Sequence, residues 1–259
     1  MSEEQGTSFY AMGGFWDRWE TLTAPVTGEL LADARLVAGE RVVDIGCGAG
    51  LATFASAEAV GGEGRVVAFD LSAETLEIVR QRAAERGVTN IDTVAGDMER
   101  DDIEGAPFDV ALNQFGLTYA KDLGATFSRI RGQLEPGGRC VFAAWVERER
   151  LPLLPGPLMA RYGDGLVDQD PFAMADTAMT LGLLADAGFE SSSVRTVELT
   201  NVVPLEAIFQ EAMVKQLGLD EAGSSEVRDE VMGRIAAYEV EGGYAAPLVF
   251  HVFSAVNPG

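Results

Sequence analysis

Basic residues are scarce in this sequence. Its 259 residues include 19 lysines and arginines against 41 aspartates and glutamates, which gives a formal net charge of −22. Lysine occurs only as Lys121 and Lys215. Because nucleic-acid binding and attraction to anionic membranes both depend on basic groups, the composition disfavours nucleic acid and membrane as partners. We interpret the acidic excess as a solvated surface, of a kind expected in a salt-adapted or high-GC organism.

Cysteine, histidine and long apolar runs are scarce as well. Cys47 and Cys140 lie far apart and lack the spacing of metal ligands, so we predict no metal site and interpret both as small buried residues. The one histidine, His251, lies in a predicted strand, where a core position is favoured over a role as catalytic base. No apolar run approaches ~18 residues and the N-terminus is polar, which predicts a soluble, cytoplasmic protein.

A glycine-rich stretch at 42–50, VVDIGCGAG, is the feature around which the chain is organised. Its apolar start predicts a short buried strand, and Gly46, Gly48 and Gly50 predict a tight turn without Cβ atoms in the way of a ligand. The segment 51–60 predicts a helix. A glycine turn between a strand and a helix N-terminus points backbone N–H groups at a ligand.

The residue types in this stretch narrow the choice of ligand. The spacing is GxGxG rather than the GxGxxG of dinucleotide-binding enzymes, and the GK[ST] ending of a phosphate-binding loop is missing. Asp44, just before the turn, would repel a pyrophosphate and favours a cationic group such as an α-amino group. S-adenosylmethionine carries one, beside a ribose and an adenine. The alternative is a glycine turn that only tightens the strand–helix junction.

A second carboxylate, Asp70, ends the second predicted strand, 65–70. An acid at this place can accept hydrogen bonds from both hydroxyls of a ribose. The alternative is an acid that only favours the start of the next helix, for which Ser72 is a predicted N-cap.

The third predicted strand, 90–95, is followed by Gly96, Asp97 and Met98. The carboxylate could accept a hydrogen bond from the exocyclic amine of an adenine, and the soft thioether could lie on the ring. The alternative for Asp97 is an ordinary turn residue.

Polar residues also follow the fourth predicted strand, 108–112. Asn113 and Gln114 lie there, with Phe115 next to them. They fall at a carboxyl strand end, where open α/β sheets bind ligands. A fifth strand is predicted over 139–145, after a Pro-Gly-Gly turn.

Five stretches, taken in order, resemble the motifs of class I S-adenosylmethionine-dependent methyltransferases. They are VVDIGCGAG, VVAFDLS, VAGDME, LNQFGLTY and LEPGGRCVFAAW. These cover residues 40–145, and the later stretch FAMADTAMTLGLLADAGFESSSV is also similar to the ubiquinone/menaquinone-biosynthesis-type small-molecule branch. Gln114 stands where that branch usually has arginine before Phe-Gly.

The resemblance implies an α/β fold, a Rossmann-like, doubly wound, seven-stranded and mostly parallel sheet with a helical cap or insertion. It implies S-adenosylmethionine as the cofactor, with Asp44 near the methionine part, Asp70 at the ribose and Asp97 at the adenine. Gln114 and Phe115 would lie close to the methyl group. The residues expected at the cofactor are Asp44, Gly46, Cys47, Gly48, Gly50, Asp70, Leu71, Gly96, Asp97, Met98, Asn113, Gln114 and Phe115.

The length predicts a single domain over 1–259. We divide it into a helical leader at 1–40, a cofactor-binding core at 41–145, a segment at 146–247 and a last strand at 248–259. The segment after the core combines a Pro/Gly-rich insertion, a helix, a sixth strand and two cap helices.

Two parts of this division have open interpretations. The aromatic residues of the leader could close over a pocket or belong to a helix packed on the domain. The helices predicted from Pro204 and near 227–238 could cover a substrate, or they could form a packing or dimerisation pair.

We therefore expect methyl transfer from S-adenosylmethionine to the oxygen, nitrogen, sulfur or carbon of a small molecule, with a homodimer as one option. The sequence assigns no catalytic residue. Two other classes stay open: a methyltransferase-fold enzyme with a non-methylating step such as cyclisation, and a non-catalytic cofactor-binding partner protein.

Overall fold

A computed structural model describes residues 15–151, 170–208 and 221–259. The strands are β1 (Arg41–Ile45), β2 (Arg65–Asp70), β3 (Ile91–Ala95), β4 (Phe108–Gln114), β5 (Leu134–Trp145), β6 (Glu190–Thr200), β7 (Glu239–Val240), β8 (Gly243–Tyr244) and β9 (Pro247–Val256). The α-helices are α1 (Phe15–Ala34), α2 (Leu51–Val60), α3 (Ala73–Arg86), α4 (Leu123–Gly132), α5 (Thr177–Asp186), α6 (Leu205–Ile208) and α7 (Glu221–Ile235).

Seven of the strands form one sheet, in the spatial order β3-β2-β1-β4-β5-β9-β6. The strands from β3 to β5 pair in parallel, and β9 runs antiparallel between β5 and β6. Their apolar runs are buried because helices cover both sides of a parallel sheet. The predicted fold, a Rossmann-like, seven-stranded and mostly parallel sheet, is confirmed.

Each side of the sheet carries its own apolar core. We call the side covered by α1, α2 and α3 the leader face, where Val26, Leu30 and Val60 are fully buried. We call the side covered by α4 and α5 the far face, where Phe127 and Leu184 are fully buried. Side chains alternate between the two faces along each strand, so neighbouring residues at a strand end point to opposite sides.

Local signals in the sequence start and stop the helices as expected. Ser72 caps α3 by accepting a hydrogen bond from the Thr75 N–H at 3.2 Å, and Gly87 ends the helix with a φ of 66°. Asp122 and Asp176 cap α4 and α5 in the same way. No helix among the described residues is both long and apolar enough to cross a membrane.

Helix α1 crosses the leader face and is fixed at its C-terminal half. Arg195 of β6 donates hydrogen bonds to Glu29 and Asp33 at 2.8 and 2.7 Å. Arg139 of β5 pairs with Glu40 at 2.7 Å, just after the helix. The helical leader is therefore an integral part of the leader face over the residues described.

Several element boundaries differ from the sequence-based expectation, among them the starts of α1 and β5. Helix α1 begins at Phe15 and contains Pro25, whereas the apolar spacing of Val26, Leu30 and Ala34 predicts a helix only over 25–36. Strand β5 begins at Leu134, since the Pro-Gly-Gly segment forms a bulge within it. Opposite this bulge, the partner of Phe108 is Leu134 and the partner of Val110 is Arg139.

A small third core lies beyond the main sheet, and its hairpin was not predicted. Strands β7 and β8 are joined by the two-residue loop Glu241-Gly242, a turn signal that we missed because each strand has only two residues. Helices α6 and α7 pack with this hairpin, and Leu22 of α1 joins them. The early leader aromatics, most of the insertion and the rest of the helix predicted from Pro204 lie outside the described residues.

Candidate functional site

The candidate site lies at the carboxyl ends of the central strands. Strand β1 has β2 on one side and β4 on the other, so the direction of chain connection reverses at this point. Ligands of open α/β sheets bind in the crevice outside such a switch point. The predicted site residues end or follow β1, β2, β3 and β4, and the fold brings these four strand ends to one edge.

The glycine loop, residues 46–50, is held from the neighbouring strand. The backbone N–H groups of Gly46 and Cys47 both donate to the Phe69 carbonyl, at 2.7 and 3.1 Å. Gly46, Gly48 and Gly50 all have positive φ, between 54° and 94°. A Cβ on Gly46 would come 3.3 Å from the Gly116 Cα, so both backbone conformation and close approach favour glycine there.

Asp44 lies buried near the end of β1, two residues before Gly46. Asp44 is 1% exposed, and the Thr53 hydroxyl of α2 donates a hydrogen bond to its Oδ2 at 2.6 Å. Burial raises the pKa of this carboxyl to about 7; the nearby Asp70 charge adds to the rise, and the Thr53 hydrogen bond opposes it. A buried acid of this kind is stabilised by a cationic ligand group.

Asp70 closes the other side of the glycine loop. Its Oδ2 accepts a hydrogen bond from the Gly48 N–H and its Oδ1 accepts one from the Ser72 N–H, both at 2.9 Å. Burial raises its pKa in spite of these two hydrogen bonds. Each carboxylate oxygen keeps further acceptor capacity. Next to it, the Leu71 side chain is 49% exposed.

The residues after β3 form a tight turn beside the same edge. The Gly96 N–H donates to the Asp70 carbonyl at 3.0 Å, and a Cβ on Gly96 would meet the Phe69 ring at 2.7 Å. Asp97 accepts a hydrogen bond from the Glu99 N–H at 2.9 Å, which is the geometry of a turn aspartate. Met98 packs partly buried against the far-face core.

Asn113 joins the ends of β1 and β4. Its amide nitrogen donates to the Ile45 carbonyl at 2.5 Å, and its amide oxygen accepts from the Leu117 N–H at 3.0 Å. Both polar atoms of the side chain thus join the end of β1, next to the glycine loop, to the turn that follows β4. Its place at the site is therefore one of support.

Gln114 points to the leader face rather than along the far face. Its Oε1 accepts a hydrogen bond from the Thr27 hydroxyl at 2.8 Å, and its Nε2 donates to the Thr23 carbonyl at 3.2 Å. A residue that we singled out as a departure from the family pattern thus connects β4 to α1. The sequence carried no signal for this contact, because the partners are far apart along the chain.

Phe115 has a φ of 67°, and its ring lies in the leader-face core with 2% exposure. It stacks on Trp145 with ring centroids 3.6 Å apart and an interplanar angle of 3°, and it meets Phe250 edge-on. The left-handed backbone at Phe115 turns the ring toward α1. Its backbone follows β4 at the site, while its side chain contributes packing.

Sequence reasoning missed two polar side chains at this edge. Thr53 is the partner of Asp44, and its signal was a polar residue on the buried side of an otherwise apolar helix. Arg82 of α3 donates to the Ala49 carbonyl at 3.0 Å and also bonds Glu20 of α1. On sequence alone, Arg82 reads as one more charged residue of a solvated helix surface.

The cysteines and the histidine lie in the interior as predicted. Cys47 and Cys140 are both free and buried, and burial raises the pKa of both thiols, which disfavours a reactive thiolate. His251 is 5% exposed, and its Nδ1 lies 3.0 Å from the Thr196 hydroxyl. Burial lowers the pKa of His251. Among the described residues, its Nε2 has no hydrogen-bond partner.

Comparison with known proteins shows which family the residues around the glycine loop are similar to. Residues 42–138 match the family model described as a methyltransferase domain. The match covers the glycine loop, the strand ends and the turns described above. It confirms, for these residues, the resemblance to class I S-adenosylmethionine-dependent methyltransferases.

Individual relatives of the chain also carry the names of methyltransferases. The chain is 34% identical over 132 residues to aklanonic acid methyltransferase DauC of Streptomyces sp., a match that covers 51% of this chain and 60% of that protein. It is 32% identical over 125 residues to demethylmenaquinone methyltransferase of Lactococcus lactis, covering 48% and 47% of the two chains. The chain thus spans about half the length of these relatives.

Solved structures show the same fold at low sequence identity. A putative methyltransferase of Bacillus halodurans superposes with a TM-score of 0.62 at 19% identity, over 90% of this chain and 99% of the other. The YcgJ protein of Bacillus subtilis gives the same TM-score at 14% identity, over 90% and 98% of the two chains. These likenesses establish the fold.

The raised pKa of Asp44 makes a prediction about stability. A carboxyl whose folded pKa lies near 7 against an ordinary 3.8 favours folding when protonated, and this contribution is lost as pH rises through the folded pKa. Asp44→Asn cannot ionise. As the pH rises from 5 to 8, the parent should lose about 2–3 kcal/mol of its free energy of unfolding relative to Asp44→Asn.

Urea denaturation of both proteins at the two pH values measures this difference. Asp102→Asn is the matched control, because the Asp102 side chain is 90% exposed and its replacement should change stability by less than about 0.5 kcal/mol at either pH. A difference between Asp44→Asn and the parent that does not vary with pH would contradict the assignment.

Proposed function

We propose that this chain is an S-adenosylmethionine-dependent methyltransferase that acts on a small-molecule acceptor. The observation that carries the proposal is a pair of acids on either side of the glycine loop, the buried Asp44 and the partly buried Asp70, within the stretch that matches a methyltransferase domain. One acid is suited to a cationic amino group and the other to a diol. S-adenosylmethionine presents both groups.

The residues described fit this cofactor. Asp44 would hold the α-amino group, because an ionised carboxylate buried at that position is stabilised by a positive charge. Asp70 would accept hydrogen bonds from the ribose hydroxyls while it keeps the Gly48 N–H. Asp97 and Met98 would lie at the adenine. Gln114 and Phe115, at the end of β4, would lie close to the methyl group.

The chemistry of the bound cofactor is an activated methyl group on a sulfonium. The protein then has to place the acceptor in line with that methyl group and to exclude water. The fixed glycine loop and the Asn113 bridge support such placement, because both are held by hydrogen bonds within the chain. No proton transfer is assigned to a side chain.

Names of relatives support a small organic acceptor. They include aklanonic acid methyltransferase DauC, demethylmenaquinone methyltransferase and nocamycin O-methyltransferase, all between 32% and 34% identical over their matched regions. The net charge of −22 supports the view that nucleic acid is not the substrate, and it fits a cytoplasmic protein. A homodimer stays a prediction.

The direct test is a titration followed by a screen. Calorimetry should detect binding of S-adenosylmethionine and S-adenosylhomocysteine to the purified protein. An acceptor screen with mass detection should then find a product heavier by one methyl group, with S-adenosylhomocysteine formed in equal amount. The absence of both a heat signal and a thermal shift at millimolar cofactor would overturn the proposal. Such a concentration tests even a Kd near 1 mM, which corresponds to only about −4 kcal/mol. Cofactor turnover without a methylated product would favour a non-methylating enzyme.

Asp70→Ala tests the proposed ribose contact. Hydrogen bonds to a charged group contribute roughly 1.5–3 kcal/mol each, and water recovers part of that, so the Kd for S-adenosylhomocysteine should rise by about one to three orders of magnitude. The melting temperature should fall as well, because the Gly48 and Ser72 N–H groups lose their acceptor.

Ser72→Ala is the control for that experiment. It removes the hydroxyl that caps α3 and leaves the Asp70 carboxylate in place, so it should cost about 0.5–2 kcal/mol of stability without changing the Kd. If Asp70→Ala behaves in the same way, with a lower melting temperature and unchanged affinity, the ribose site has been misplaced.

A further inference from the structure

Arg82 lies between the glycine loop and the leader helix. Its Nη1 donates to the Ala49 carbonyl at 3.0 Å, within the loop, and the same nitrogen bonds the Glu20 carboxylate of α1. One guanidinium thus contacts two elements that have no strand pairing with each other. Neither contact could be read from the spacing of the sequence.

The Arg82–Glu20 ion pair is largely withdrawn from water. The two side chains are 19% and 23% exposed. On the same helix, the pair Arg80–Glu77 has exposures of 48% and 52% and is an ordinary surface pair. Exposed pairs contribute little to stability, whereas partly buried, hydrogen-bonded pairs are screened much less. We therefore expect the loss of Arg82, rather than the loss of Arg80, to affect elements other than α3.

Helix α1 is held differently at its two ends. Beyond Pro25, the apolar residues Val26, Leu30 and Ala34 are fully buried against the sheet. Before Pro25, the described contacts with the cofactor side are polar: Glu20 with Arg82, and the Thr23 carbonyl with the Gln114 amide. Proline cannot donate the backbone hydrogen bond that would join these two halves. The first half is therefore held beside the glycine loop by polar contacts, while its Leu22 packs into the third core.

We propose that Arg82 is a positioning residue for the cofactor site, which fixes the glycine loop and holds the first half of α1 beside it. The inference rests on the proposed function. The Ala49 contact restrains the loop that lies between Asp44 and Asp70, and the Glu20 contact keeps the helix from moving away. A cofactor bound at the loop leaves more slowly when the neighbouring helix is held in place.

The effect should appear in the dissociation rate of S-adenosylhomocysteine. Arg82→Gln and Glu20→Gln each break the ion pair, and each should raise koff roughly three- to tenfold, the size expected of one partly buried ion pair. Association should change less, because most effects of such substitutions appear in koff. Stopped-flow displacement of S-adenosylhomocysteine, with the melting temperature of each variant, gives the data.

A double-mutant cycle tests whether Arg82 acts through its contact with Glu20. If Arg82 acts through α1, the double variant should dissociate no faster than Arg82→Gln alone, because the second change removes nothing further. Arg82→Lys keeps the charge and should restore part of the slow dissociation. Arg80→Gln is the matched control: it breaks the exposed pair with Glu77 on the same helix and should leave koff unchanged.

Two outcomes would overturn this inference while leaving the proposed function intact. The first outcome is that S-adenosylhomocysteine dissociates from Arg82→Gln and from Glu20→Gln with the same koff as from the parent protein. Alternatively, Glu20→Gln could bind more tightly than the parent, which would mean that the contact opposes the cofactor. Failure of the parent protein to bind S-adenosylhomocysteine at all would instead overturn the proposed function.

Discussion

A carboxylate buried beneath the glycine loop is the constraint on which this edge of the sheet depends. Asp44 is the last residue but one of β1, whose last four residues are all buried, and it has the Thr53 hydroxyl as its partner. An ionised acid in such a place is unfavourable unless a positive charge joins it. The protein thus keeps a destabilising carboxyl group close to the start of the glycine loop. Groups with shifted pKa values of this kind are typical of functional sites.

The surrounding structure holds this group in place through contacts between distant parts of the chain. Asp70 fixes the glycine loop from β2, Asn113 fixes it from β4, and Arg82 fixes it from α3. Each of these side chains bonds backbone groups of the loop or of its strand. A loop held from three sides needs little reorganisation when a ligand arrives, which favours binding and placement.

Much of this arrangement follows from the sequence. Strand β2 and helix α2 have the bounds expected from their apolar runs and flanking glycines, and Ser72 caps α3 as expected. The prediction that Asp44 and Asp70 lie near one loop needed only the rule that parallel strands end at one edge. The directions of Gln114 and Phe115 could not be predicted, because both depend on partners in α1 and β5 and on a left-handed backbone at Phe115. The contacts of Arg82 escaped for the same reason, since they join residues from three separate elements.

The most direct test is the number of protons released when the cofactor binds. If the α-amino group pairs with Asp44, binding of S-adenosylhomocysteine must shift a carboxyl with a pKa of about 7 to its ionised form. Calorimetry at pH 7 in two buffers of different ionisation enthalpy should then show a net release of about a third to a half of a proton per site. Asp44→Asn should abolish that release. Binding without any proton release in the parent protein would contradict the placement of the amino group at Asp44.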